Sequence, residues 1–86
     1  MRIRRQPVAD ELMLDGELVL LLNGTVMVLS EVASAAVNRL STEVWTSVEV
    51  LVDVLASSVG LPAEGEGAVF SLVRSLADAG VVVAEA

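Results

Sequence analysis

The side chains able to do chemistry in this chain are carboxylates with no base to work beside. Twelve Asp and Glu residues stand against five arginines, and neither His nor Cys occurs. That removes the imidazole general base, thiol chemistry and the usual zinc ligand sets. The serines and threonines therefore have no neighbour to activate them as nucleophiles. Asp15 falls in a turn and Glu31 and Glu49 fall at helix starts, where structural roles account for them. Gly65 and Gly67 alternate with Glu64 and Glu66, which repel phosphate, and no Lys-Ser/Thr pair follows to make a phosphate loop. The acids also lack the spacing of a Ca²⁺ or Mg²⁺ loop. The chain reads as a non-enzyme without metal or cofactor, so its work must be done by binding.

The elements that could build a binding surface start with two turn dipeptides, Asp15-Gly16 and Asn23-Gly24. A two-residue hairpin needs positive φ at both central positions, which Asp-Gly and Asn-Gly tolerate best. Strands are therefore predicted over residues 10–14, 17–22 and 25–29, a three-stranded antiparallel meander. The turns set the register, pairing Leu14 with Glu17, Leu12 with Val19, Leu22 with Thr25 and Leu20 with Met27. One face then carries Met13, Leu18, Leu20, Leu22, Met27 and Leu29, with Glu11 and Thr25. The other carries Leu12, Leu14, Val19, Leu21, Val26 and Val28, with Asp10 and Glu17. A small antiparallel sheet normally leaves one face polar, so a sheet apolar on both sides predicts helices over parts of both, or a second partner surface.

After the strands the hydrophobic period lengthens to that of a helix. Ser30 is a good N-cap for a first helix over residues 31–40, with Val32, Ala33, Ala36, Val37 and Leu40 inward. Thr46 and Glu49 make a capping box for a second over 47–59, with Val48, Leu51, Val52 and Leu55 inward and Gly60 closing it. Pro62 can begin a third, frayed by Gly65 and Gly67 and firm over 68–79, with Val69, Leu72, Val73 and Leu76 inward. Gly80 is a natural C′ residue, after which residues 81–84 read as an extended tail. Phe70, Arg74 and Ala77 lie on a flanking face of that helix. Trp45, in the link between the first two helices, is expected to plug one end of the core. The fold class is α+β and winged-helix-like: a β-meander followed by three helices.

The 86 residues suit one domain, and their 55% hydrophobic content supplies a core built of Val, Leu and Ala. No apolar run is long enough to cross a bilayer, and no signal peptide is evident, so a cytoplasmic protein is expected. Arg2, Arg4 and Arg5 make residues 1–7 a basic arm. Arg39 and Arg74 alone oppose all twelve carboxylates in the rest, leaving residues 6–86 at a net charge of about −10. Such a body repels phosphate backbones, which argues against nucleic acid and for a basic partner.

The order of these features resembles one family. Asp15-Gly16-Glu17 opens the second strand, Leu29-Ser30-Glu31 stands where the family often has Leu-Asn-Glu, Thr46-x-x-Glu49-x-Leu51 opens the second helix, and Gly80-Val81 ends the third. Over residues 8–83 the chain resembles the PqqD-like family, the RiPP recognition elements. It departs where the family often has aromatics, carrying Val26 and Met27 on the third strand and Val37 and Leu40 late in the first helix. The resemblance implies a peptide-binding domain over residues 8–84, to which the leader of a precursor peptide adds as a strand at the edge of the third strand. The site it implies comprises Thr25, Val26, Met27, Val28 and Leu29 from that strand, with Val69, Phe70, Val73, Arg74 and Ala77 from the third helix. The implied partners are the leader peptide and a separate leader peptidase or other modifying enzyme, as in the stand-alone members of lasso-peptide pathways. Strand physics agrees: residues 25–29 contain no Pro, Lys or inward charge to block an incoming strand.

Two rival readings use the same elements. A winged-helix regulator would need a basic recognition helix, and the third helix offers only Arg74. A homodimer would pair the third strand with its own copy. An acyl carrier protein is excluded by the strands and by the missing Asp-Ser-Leu attachment site.

Overall fold

The two dipeptide turns adopt the left-handed backbone their sequences require, with φ of 52° and 81° at Asp15 and Gly16 and 53° and 76° at Asn23 and Gly24. They sit in a computed structural model that describes residues 1–59 and 65–85. In chain order the elements are β1 (Arg2–Arg5), β2 (Asp10–Leu14), β3 (Glu17–Leu22), β4 (Thr25–Val28), α1 (Glu31–Asn38), β5 (Thr46–Ser47), α2 (Val48–Val59), α3 (Gly65–Asp78) and β6 (Val82–Glu85). The architecture is α+β. A meander in the order β2-β3-β4 precedes the helices, as the turns predict, and its pairs are Leu14 with Glu17, Leu12 with Val19, Leu22 with Thr25 and Leu20 with Met27.

A second sheet was not anticipated. Within the basic arm of residues 1–7, residues 2–5 form the central strand of a three-stranded antiparallel sheet, ordered β5-β1-β6, and so belong to the folded domain. Residues 82–85 are not a tail but its edge strand. Ile3 is the reason: its side chain is fully buried in the core, together with Val81 and Val82. Gln6 N–H donates to the carbonyl of Val81 at 2.9 Å, and Arg5 N–H to that of Ser41 at 2.8 Å, which extend the pairing past the strands. Trp45 does not plug the core. It lies half-buried beside this sheet, with the guanidinium carbons of Arg2 and Arg4 at 4.7 and 4.8 Å from its ring centroid. Arg2 also pairs with Glu85, its partner across the strands. Arg5 reaches Glu11 on β2 at 2.8 Å and ties the two sheets together.

The helices close over one face of the meander. Leu18, Leu20 and Leu22 of β3 meet Ala33, Ala36 and Val37 of α1, Leu51 and Leu55 of α2, and Val69, Val73 and Leu76 of α3 in one core. Small alanines let α1 lie close to β3. Val32 is the exception to the predicted stripes, being exposed; Val52 and Leu72 are half-buried at the margin.

Caps explain most boundaries. Ser30 Oγ accepts from Ala33 N–H at 3.2 Å, so α1 begins where its N-cap predicts. It stops at Asn38 rather than at 40, because the N–H groups of Arg39 and Leu40 turn to the carbonyls of Ala36 and Val37 and tighten the last turn. The cap of α2 is Ser47, whose Oγ accepts from Val50 N–H at 3.2 Å, and not Thr46, which belongs to β5. The third helix begins at Gly65, before its expected firm part. It ends in a Schellman motif: Gly80 has φ of 82°, Gly80 N–H bonds Ala77 C=O, and Val81 N–H bonds Leu76 C=O. The expectations placed on Gly60 and Pro62 lie outside the described residues. No helix among those described is long and apolar enough to cross a membrane.

Candidate functional site

The meander has two edges, and hydrogen-bond alternation decides what the β4 edge offers. Leu22 and Thr25 flank a two-residue turn and so exchange hydrogen bonds, which makes Leu20 with Met27 the next bonded pair. Leu29 N–H donates to Leu18 C=O at 2.9 Å, which continues the same alternation. Val26 and Val28 are therefore the non-bonded positions, and their amide N–H and carbonyl groups point away from β3. Among the described residues no strand pairs with that side of β4. The edge contains no Pro, charge or bulge, which are the usual guards against strand addition.

Near the other end of β4 a serine finishes the ladder. Leu18 N–H donates to Ser34 Oγ at 2.7 Å, and Ser34 Oγ–H donates to Leu29 C=O at 3.3 Å. The hydroxyl thus relays one hydrogen bond between β3 and the residue following β4, at the point where the chain leaves the sheet for α1. Ser34 is almost completely buried. Sequence reasoning missed it because the inward stripe of α1 is drawn from apolar residues alone and passes over a serine between Ala33 and Ala35.

The ten residues expected to form a peptide site do not all meet in one groove. Thr25 is exposed at the turn end of β4. Met27 points to the helix side and is half-buried against the core, as are Phe70 and Ala77 of α3, while Arg74 is exposed on the same helix. Leu29, Val69 and Val73 are core residues, exposed by only 7, 1 and 1%, so no peptide reaches them in this fold. Val26 and Val28 lie on the opposite face from the helices, because side chains alternate along a strand. On the helix side, Met27 of β4 and Phe70, Arg74 and Ala77 of α3 are thus the site residues not shut inside the core.

Among the described residues nothing covers the opposite, outer face of the meander. Leu12, Leu14, Val26 and Val28 are exposed by 59, 56, 67 and 60%, with Val19 and Leu21 half-buried between them. A shallow depression of about 150 Å³ opens there, with Leu12, Val19, Leu21 and Val26 in its lining. The helices thus cover one face of the meander and not parts of both, and among the described residues the other face stays bare.

Among the described residues no three His, Cys, Asp or Glu side chains converge to hold a metal ion. Comparison with protein-family models, with curated proteins and with solved structures finds no significant match.

Proposed function

We propose that this protein is a non-catalytic recognition subunit that captures the leader segment of a ribosomally made precursor peptide. The leader adds as an antiparallel or parallel strand to the free edge of β4 and is presented to a separate leader peptidase or other modifying enzyme. The observation that carries the reading is the unguarded pair of outward N–H and C=O groups at Val26 and Val28. Main-chain hydrogen bonds there supply affinity, and alternate side chains of the leader rest against Met27, Phe70 and Ala77. Arg74 would hold a leader carboxylate or carbonyl, and the acidic body suits a leader that carries basic residues. The PqqD-like order of strands and helices supports a role in peptide modification, with lasso-peptide biosynthesis in the cytoplasm as the favoured setting.

Fluorescence anisotropy with a labelled leader peptide from the precursor gene nearest to this protein's own tests the reading. Binding in the sub-micromolar range is expected, weakened about tenfold or more by Met27→Asp and by Phe70→Ala. The sharper variant is Val28→Pro. Proline removes an N–H that the fold does not use and adds a ring where the incoming strand would lie, so binding is lost while stability changes little. Unchanged affinity in Val28→Pro would rule out strand addition at this edge. The same edge could instead take a second copy, and sedimentation of the free protein separates the two: a dimer dissolved by Val28→Pro favours self-pairing.

A further inference from the structure

We infer that the outer face of the meander is a docking surface for a partner protein's amphipathic helix whose apolar stripe is flanked at both ends by basic residues. The surface is distinct from the β4 edge: it is the broad side of the sheet, made of side chains, whereas the edge is made of main-chain groups. The inference therefore stands whether or not a strand adds to β4.

Geometry selects a helix. Three strands about 4.8 Å apart present a face about 10 Å across, which matches the 10–12 Å diameter of one helix. A helix laid there makes the meander the middle layer of a sandwich, with the core helices on its other side, the arrangement by which apolar sheet faces are commonly buried. Leu12, Leu14, Val19, Leu21, Val26 and Val28 form the strip it would cover.

Charge selects the flanks. The eight side chains of this face include two acids and no base: Asp10 stands at one end, opposite Leu21, and Glu17 at the other, opposite Leu14. Among the described residues neither is in an ion pair; Asp10 only accepts from the N–H of Glu11 at 2.9 Å. Asp15 adds a third carboxylate at the Glu17 end. Asp10 and Leu14 are four residues apart on β2, about 14 Å, which corresponds to about nine residues of helix. The partner's helix should thus carry Lys or Arg about nine residues apart, with aliphatic residues between them. A second copy is a poor occupant, because any face-to-face stacking sets acids against acids with no base to relieve them.

Two synthetic helical peptides test this, sharing one leucine and alanine stripe and differing only in lysines or glutamates at the two flanking positions. With methyl-labelled Leu and Val, the lysine peptide should shift the resonances of Leu12, Leu14, Val26 and Val28, and bind at least about tenfold more tightly than the glutamate peptide at low salt. An Asp10→Lys, Glu17→Lys variant should reverse that preference; both positions are exposed, so the variant keeps the fold. Equal affinity for the two peptides, no binding of either, or shifts at core methyls in place of the outer ones would overturn the inference. So would outer-face shifts that grow with protein concentration alone, since they would make the occupant a second copy.

Discussion

At the scale of single residues, Ser34 carries more than its size suggests. It is the one polar side chain among the described buried residues, and it satisfies a donor and an acceptor that β3 and β4 no longer satisfy for each other. Ser34→Ala would leave Leu18 N–H and Leu29 C=O buried without partners, at a cost of about 1–3 kcal/mol. Urea denaturation measures it; a loss under about 0.5 kcal/mol would mean that the backbone closes the gap directly. Such a residue is illegible in a sequence, because its role depends on where a strand departs from a sheet. Gly80 is the opposite case. Its position after an apolar helical run announces a helix stop, and the positive φ follows. Trp45 misled for a physical reason: an isolated Trp in an apolar chain reads as core, while here two arginines at alternate positions of β1 cover its ring.

At the scale of elements, the two faces of the meander differ in what they tolerate. Leu12→Thr and Val26→Thr replace exposed side chains and should change stability by no more than about 0.5 kcal/mol. Leu20→Ala, on the inner face, should cost about 2–5 kcal/mol. Thermal or urea unfolding of the three variants checks the contrast, and a large loss from the outer pair would mean that this face is covered by the protein's own chain or by a copy. The register of these strands was legible because each two-residue turn dictates the pairs on both sides of it. Which face would stay bare was not, since both are aliphatic and only the helices' packing decides. The candidate site was legible in part for the same reason. Edge status and the absence of guarding residues follow from the strand order, whereas Val69 and Val73, which the helical period places inward and the resemblance places in the site, lie in the core.

For the whole molecule, the decisive contacts join its two ends. The β1 strand has no turn signal and no alternation beyond Ile3, and its partners lie in residues 46–47 and 82–85. Nothing local encodes such a pairing, so the second sheet stays hidden until the chain is folded. Deleting residues 82–85 strips β1 of its longer partner and exposes Ile3, and it should lower the unfolding midpoint sharply. The single Trp is a convenient reporter, because Trp45 sits against Arg2 and Arg4: its fluorescence should move toward that of the unfolded chain in the truncated protein. Native-like emission after the deletion would show that β1 holds its place through β5 alone.

The union of the first and last strands also sets the order of events in folding. Arg2 and Glu85 are 83 positions apart, whereas each hairpin turn brings together residues three apart. Loop-closure entropy makes the distant contact dearer by roughly 2–3 kcal/mol, so the hairpins and α1 should form ahead of the β1–β6 pairing. Mutations then divide by rate. Ile3→Val and Val82→Ala should mainly accelerate unfolding, while Leu20→Ala, in the early-forming meander, should slow folding as well. A chevron analysis of these variants would read that order directly from the two limbs.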